Sequence, residues 1–125
     1  MSVILSIHHV SLLVSDTRRA LDFYHGILGL DVDQSRPVMD FHGAWLRAGT
    51  QQIHLIEIPG RAPDATPVGH GGRDRHVALA VSDLESLATA LTGQGIGYTL
   101  SRSGRRALFC RDPDGNTIEL VEVKS

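Results

Sequence analysis

Three histidines and one glutamate stand at matching positions in the two halves of this 125-residue chain. The segment HVSLLVSD, which begins at His9, returns as HVALAVSD at His76, 67 residues later. A second pair of segments, IHLIE and IELVE, places His54 and Glu119 at equivalent positions 65 residues apart. Imidazole and carboxylate groups are the ligands that a borderline divalent metal accepts in proteins. The repeat therefore leads to the hypothesis that the four side chains converge on one metal centre.

Each half of the chain shows the same order of predicted elements, which is a strand, a helix and then three strands. In the first half the helix begins after the capping residues Ser15 and Asp16 and stops at Gly29. The first strand is rich in Val, Ile and Leu, which predicts burial on both of its faces. The predicted strands of this half are 4–14, 30–34, 44–48 and 51–58.

The second half follows a segment with the composition of a linker. Residues 59–74 hold three prolines and four glycines, which predicts irregular structure between modules 1–58 and 75–125 of a single domain. Ser82 and Glu85 form a capping-box signature for the second helix. The predicted strands of this half are 76–81, 96–101, 105–111 and 116–123, with a tight turn at 112–115.

Alternation along a strand determines which side chains share a face with a candidate ligand. His76 shares its face with Ala78 and Ala80, whose small side chains leave room beside the imidazole. Glu119 lies between large apolar neighbours that point the other way. A carboxylate in such a place is costly to bury without a partner, and a metal ion would remove that cost.

The composition limits the partners and the compartment. A net charge of −2 without a basic run gives no reason to expect nucleic acid, and no apolar segment is long enough to span a membrane. Cys110 is the single cysteine, so no disulfide is expected within the chain, and we expect a reducing, cytoplasmic location. Cys110 itself is predicted to be a small core residue.

Three motifs together resemble those of the vicinal oxygen chelate superfamily, the glyoxalase/bleomycin-resistance/extradiol-dioxygenase group. They are HHVSLLVSDTRRALDFYHGILGL, RHVALAVSDLESL and FCRDPDGNTIELVE, and the resemblance covers nearly the whole chain. It implies an α+β fold with two tandem βαβββ modules whose curved sheets form a metal-containing cleft. Carried over by position, the metal ligands are His9, His54, His76 and Glu119.

The resemblance also implies a homodimer, because short members of this family are similar in being dimers. In many of them the cleft is shared between subunits. His9 and His54 of one chain would then meet His76 of the partner subunit and Glu119 of the partner subunit. The expected cofactor is one divalent metal ion per site, which would be zinc, nickel, iron or manganese.

The implied function is that of a metal-dependent enzyme of the glyoxalase type, an isomerase or lyase acting on a small 2-oxo compound or its thiol adduct. The metal would act as a Lewis acid, and Glu119 would move a proton between neighbouring carbons. Glyoxalase I enzymes have a carboxylate where His54 stands, so Glu119 is the one base that remains. Trp45 and Arg47 are candidates for substrate contacts, and Arg105 is among the further arginines that could hold an anionic substrate group.

Two other functions of this family remain open for the sequence. An extradiol-type dioxygenase uses two histidines and one glutamate on iron(II), whereas the third histidine here would fill one of the open positions. A non-catalytic protein that binds a small ligand such as an antibiotic is the other alternative. Such proteins typically lack the metal ligands, so the presence of all four favours an enzyme.

Overall fold

Two four-stranded sheets of the same topology build the computed structural model, which describes residues 2–62 and 70–124. The first sheet holds β1 (His9–Val14), β2 (Asp31–Val32), β3 (Gly43–Ala48) and β4 (Gln51–Glu57). The second holds β5 (His76–Val81), β6 (Thr99–Leu100), β7 (Ala107–Arg111) and β8 (Thr117–Glu122). The strand orders are β1-β4-β3-β2 and β5-β8-β7-β6. The predicted α+β fold of two βαβββ units is confirmed.

The first and last strands of each half pair in parallel, and the remaining neighbours pair antiparallel. Parallel strands need a long crossover connection, and each half supplies one that contains a helix. These helices are α1 (Thr17–Leu21), which continues as a π-helical segment at Asp22–Ile27, and α2 (Leu84–Gly93). Among the residues that the structure describes, no helix is long and apolar enough to cross a membrane.

Short acidic side chains begin both helices. Asp16 accepts a hydrogen bond from the backbone N–H of Arg19, as the sequence predicts. The second helix begins differently from the predicted capping box, since Asp83 is its N-cap and accepts from the N–H of Ser86 at 3.1 Å. The predicted start at Ser82 is therefore wrong by one residue, because the carboxylate of the following aspartate occupies the capping position.

The glutamate that ends the last strand of each half also contacts the helix of the same half. Glu57 Oε1 accepts from the N–H of Thr17 at 2.7 Å, and Glu122 Oε2 accepts from the N–H of Leu84 at 3.0 Å. This N–H and the guanidinium of Arg106 hold the pKa of Glu122 below its usual value. Both contacts place a carboxylate at the positive end of a helix, which joins the start of each helix to β4 or β8.

The first strand is shorter and more exposed than the sequence predicts. It begins at His9, because the partner residue of His9 is Gln52 at the start of β4. The apolar residues before it lie outside the sheet, and Val3 and Leu5 are more than nine-tenths exposed. Within β1 every second side chain faces solvent, since only one face of the sheet packs on the core. The predicted burial on both faces is therefore wrong.

Two other strands are shorter than the sequence predicts. β2 and β6 are short strands of two residues each, at Asp31–Val32 and Thr99–Leu100, inside the predicted ranges 30–34 and 96–101. Part of the predicted linker, residues 63–69, lies outside the described residues. Its described end includes a 3₁₀ turn at Gly71–Arg73. The division into modules 1–58 and 75–125 stays a prediction.

The turn at residues 112–116 connects the second half to the first. The hydroxyl of Tyr24, on the π-helical segment, donates to Asp112 Oδ2 at 2.6 Å, and both groups are buried. Asp114 Oδ1 accepts from the backbone N–H of Ser15 at 3.0 Å. Burial, followed by the charge of Asp112, raises the pKa of Tyr24 well above its usual value, so the phenol remains a donor.

We expect Tyr24→Phe to lower the free energy of unfolding by about 1–2 kcal/mol, because a buried carboxylate loses one of its donors. Urea unfolding followed by circular dichroism measures this loss. Tyr98→Phe is the matched control, since Tyr98 is 37% exposed and makes no such contact among the described residues. Equal stability of the Tyr24→Phe variant and the wild type would contradict the structural role of this contact.

Candidate metal centre

The four predicted metal ligands lie in two pairs, one pair on each sheet. His9 on β1 lies beside His54 on β4, and His76 on β5 lies beside Glu119 on β8. In both sheets, the residue two positions after the histidine pairs with the ligand on the last strand. The parallel pairing therefore produces the same arrangement of the two side chains in each sheet. The repeat in the sequence corresponds to a repeat in the structure.

The imidazole of His54 is part of an aromatic stack in the first pair. Its ring centroid lies 4.0 Å from that of His9, with 16° between the ring planes. Trp45 on the neighbouring strand β3 stacks at 4.6 Å with an angle of 8°. Nδ1 of His9 lies 2.9 Å from Nδ1 of His8, so one of these atoms donates to the other. The stack and this hydrogen bond fix both imidazoles of the pair.

A chain of polar contacts determines the tautomer of His54. Gln52 Nε2 donates to Asp33 Oδ2 at 2.8 Å, which turns Gln52 Oε1 toward His54 Nε2, also at 2.8 Å. Because an amide oxygen only accepts, the proton of His54 lies on Nε2 and its Nδ1 keeps a lone pair. Burial lowers the pKa of His54, and the neighbouring imidazoles of His9 and His8 lower it further. His54 is thus a neutral imidazole, the form that binds a metal.

The second pair brings two acceptor atoms into contact. Nδ1 of His76 lies 2.8 Å from the carbonyl oxygen of Asp74, which can only accept, so Nδ1 carries a proton. Nε2 of the same ring lies 3.1 Å from Glu119 Oε1, and the side chain of Glu119 is only 3% exposed. A neutral imidazole would direct a lone pair at a carboxylate oxygen. The contact therefore calls for a cation at this place, either a proton or a metal ion.

The other oxygen of Glu119 faces an arginine. Arg105 precedes β7, and its NH2 lies 3.3 Å from Glu119 Oε2. The sequence counts Arg105 among the arginines that could hold an anionic substrate group, but it does not predict the contact with Glu119. The signal that could have found it is strand alternation, since Arg105 has the same parity as Phe109, the register partner of Glu119. The other predicted substrate contact among the arginines, Arg47, lies on β3 with its NH1 4.0 Å from Asp33 Oδ1.

Phe109 and His70 extend the second half-site. Phe109 is the register partner of Glu119, as Trp45 is of His54, so each sheet carries an aromatic ring beside the ligand of its last strand. The ring of Phe109 meets those of His76 at 5.1 Å and His70 at 4.8 Å, both edge to face. The sequence offers no pattern that places His70 on this face, because it belongs to an irregular segment.

The two pairs remain separate within one chain. Among residues 2–62 and 70–124, no group of three His, Cys, Asp or Glu side chains lies close enough to hold one metal ion. A cleft of about 410 Å³ runs between β1 and β5, and of the four candidate ligands only His76 lines it. The chain thus presents two half-sites of the same geometry.

Cys110 takes no part in either half-site. It is 3% exposed and belongs to the apolar core, as predicted. Its register partner is Ile118, whereas the register partner of Glu119 is Phe109, so Cys110 points to the opposite face of the sheet. Burial, followed by the charge of Asp112, raises the pKa of the thiol to about 12. Cys110 is therefore not an activated nucleophile.

Comparisons with known proteins agree on the family and differ on activity. A family model described as the Glyoxalase/Bleomycin resistance protein/Dioxygenase superfamily matches residues 6–120. "Glyoxylase I 4" of Arabidopsis thaliana is 28% identical over an alignment that covers 96% of the chain and 72% of that protein. "Putative ring-cleaving dioxygenase MhqA" of Bacillus subtilis is 31% identical, over 92% of the chain and 39% of that protein.

A solved structure supports the fold. The crystal structure of a "putative glyoxalase family protein" from Bacillus anthracis superposes with a TM-score of 0.77, at 24% identity and over 99% of both chains. This likeness concerns the course of the backbone alone. The reaction has to be argued from the half-sites.

Proposed function

Since the chain belongs to the Glyoxalase/Bleomycin resistance protein/Dioxygenase superfamily, we propose that it is a divalent-metal-dependent enzyme of the glyoxalase type. The substrate is a small 2-oxo compound or its thiol adduct, and the reaction is an isomerisation or lyase step that moves a proton. The observation that carries the proposal is the contact between His76 Nε2 and Glu119 Oε1 at 3.1 Å. The similarity to "Glyoxylase I 4" supports the reaction class.

The donor atoms of the two half-sites fit a borderline divalent metal. Three imidazoles and one carboxylate suit zinc, nickel or iron(II) better than magnesium. Metal-binding histidines usually donate their second ring N–H to an oxygen, which fixes the ring. His76 makes such a contact with the carbonyl of Asp74, and His54 makes one with Gln52. Glu119 would supply the anionic ligand from a buried position.

Glu119 is also the proposed catalytic base. When bound, the metal supplies Lewis-acid chemistry that makes the C–H beside a carbonyl more acidic. In the thiol adduct, the carboxylate of Glu119 takes this proton from the hydroxyl-bearing carbon and returns it to the neighbouring carbonyl carbon. The hydroxyl proton passes to the carbonyl oxygen, so the isomerisation is balanced without another reactant. Burial of the carboxylate keeps water away from the proton during transfer. Trp45 and Arg47, on the same sheet as His54, are the proposed substrate contacts.

We extend the proposal to a homodimer in which each centre takes one half-site from each chain. The separation of the two pairs within one chain supports this arrangement, because a single chain does not bring three ligands together among its described residues. Closed twofold symmetry would join the first half of each chain to the second half of the other. Two identical centres would result, so each chain would account for one metal ion.

We expect the purified protein to hold about one divalent ion per chain, as elemental mass spectrometry measures. His76→Ala and Glu119→Ala each remove a ligand and should reduce the bound metal to a small fraction. His42→Ala is the matched control, because His42 is exposed and lies outside both half-sites. A wild type that stays empty after incubation with zinc, nickel, iron(II) and manganese would refute the enzyme proposal and favour the ligand-binding alternative.

The Glu119→Gln variant tests the proton transfer itself. At saturating metal, the wild type should exchange the methyl hydrogens of pyruvate, a simple 2-oxo compound, for deuterium in D₂O. The variant should lose the exchange by about 10²–10⁴-fold, because an amide oxygen is too weak a base. Proton NMR follows the exchange. Equal rates in variant and wild type would exclude Glu119 as the base, and oxygen consumption by an iron-loaded protein would favour the dioxygenase alternative.

Mixed dimers test the shared centre. A dimer of one His54→Ala chain and one Glu119→Ala chain, purified through two different affinity tags, has one intact centre if the centres are shared. It should bind about one metal ion per dimer, whereas each parent homodimer binds little. Centres that form within a single chain would give no such recovery, because each chain would then carry one damaged site.

A further inference from the structure

The buried carboxylate of Glu119 has a second neighbour besides His76, and this neighbour is the arginine Arg105. Arg105 NH2 lies 3.3 Å from Glu119 Oε2, while His76 Nε2 occupies the other oxygen at 3.1 Å. The side chain of Glu119 is 3% exposed and that of Arg105 is 61% exposed. The guanidinium therefore extends from the solvent-exposed surface to the buried carboxylate of Glu119.

The β6–β7 hairpin holds Arg105 in this position. Arg105 Nε donates to Ser103 Oγ at 3.2 Å, and the hydroxyl oxygens of Ser103 and Ser101 lie 2.8 Å apart. Gly104 adopts a φ of +86°, a left-handed conformation that favours glycine, and so turns the chain between Ser103 and Arg105. The neighbouring Arg106 does not contact Glu119 among the described contacts; its Nε donates to Glu122 Oε1 at 2.6 Å.

Arg105 can form contacts beyond those with the protein. A guanidinium carries five N–H donors in a planar fork that matches a carboxylate. Two of its nitrogens, Nε and NH2, contact Ser103 and Glu119, and more than half of the side chain faces solvent. A small anion that enters the half-site therefore meets a positioned arginine directly beside the proposed base.

We propose that Arg105 is the anion-recognition residue of this centre and that its substrate carries a carboxylate. Arg105 binds Glu119, and it exchanges this partner for the carboxylate of the substrate when the substrate binds. The exchange leaves Glu119 available as ligand and base while the positive charge remains paired. The inference rests on the proposed function and narrows its substrate class to 2-oxo acids.

Pyruvate and its uncharged methyl ester provide the test, because they share the 2-oxo group and differ in charge. Both are titrated into the cobalt(II)-loaded protein, and the cobalt absorption bands report binding. The wild type should bind pyruvate about tenfold more tightly than methyl pyruvate. Arg105→Met should reduce this preference to about twofold or less, since the variant keeps the length of the side chain and lacks the charge.

Arg102→Met is the matched control, because Arg102 is an exposed arginine of the same hairpin. It should keep the wild-type preference. The affinity for cobalt(II), measured by competition with a coloured chelator, gives a second result that does not depend on substrate. Arg105→Met should raise it by about three- to tenfold, because a cation beside Glu119 has been removed, and Arg102→Met should leave it unchanged.

Two failures are distinguishable. If the wild type takes up cobalt but binds pyruvate and its ester equally, or if Arg105→Met keeps the full preference, the role of Arg105 is refuted while the metal centre stands. If the wild type takes up no cobalt, the proposed function itself is refuted, and the inference that rests on it is refuted as well.

Discussion

The parallel pairing of the first and last strand in each half is the constraint on which the rest of the structure depends. Parallel neighbours cannot be joined by a tight turn, so a long connection lies between them, and in each half it contains a helix and two strands. The pairing then sets the histidine of β1 beside the ligand of β4, and the histidine of β5 beside the ligand of β8, at the same register. One unit used twice thus gives two half-sites of related geometry.

The two half-sites share geometry but differ in charge. In the first, burial and the neighbouring imidazoles lower the pKa of His54, and an amide held by Asp33 fixes its tautomer. In the second, the buried carboxylate of Glu119 attracts both His76 and Arg105. In the proposed shared centre, the imidazoles of the first pair would supply lone pairs and the carboxylate of the second would compensate the charge of a divalent metal.

Contacts between the halves depend on groups that are costly to bury alone. The Tyr24 hydroxyl and the Asp112 carboxylate satisfy each other in the interior, so each makes the burial of the other possible. The sequence predicts a turn at 112–115 from its Pro and Gly residues, and this prediction concerns the local backbone only. The sequence could not predict that this turn contacts the helix of the other half. No local pattern identifies a partner that lies 88 residues away.

The sequence by itself determined the repeated unit, the order of its elements and the candidate ligands, because strand alternation and helix capping are local properties of neighbouring residues. The prediction overestimated the length of β1, because β1 extends only as far as β4 has residues that pair with it. Only the tertiary structure decided that the ligands form two separate pairs, that Phe109 and His70 border one of them, and that Arg105 reaches Glu119. These contacts join residues distant in the chain, and their formation depends on how sheets and loops pack around a shared core.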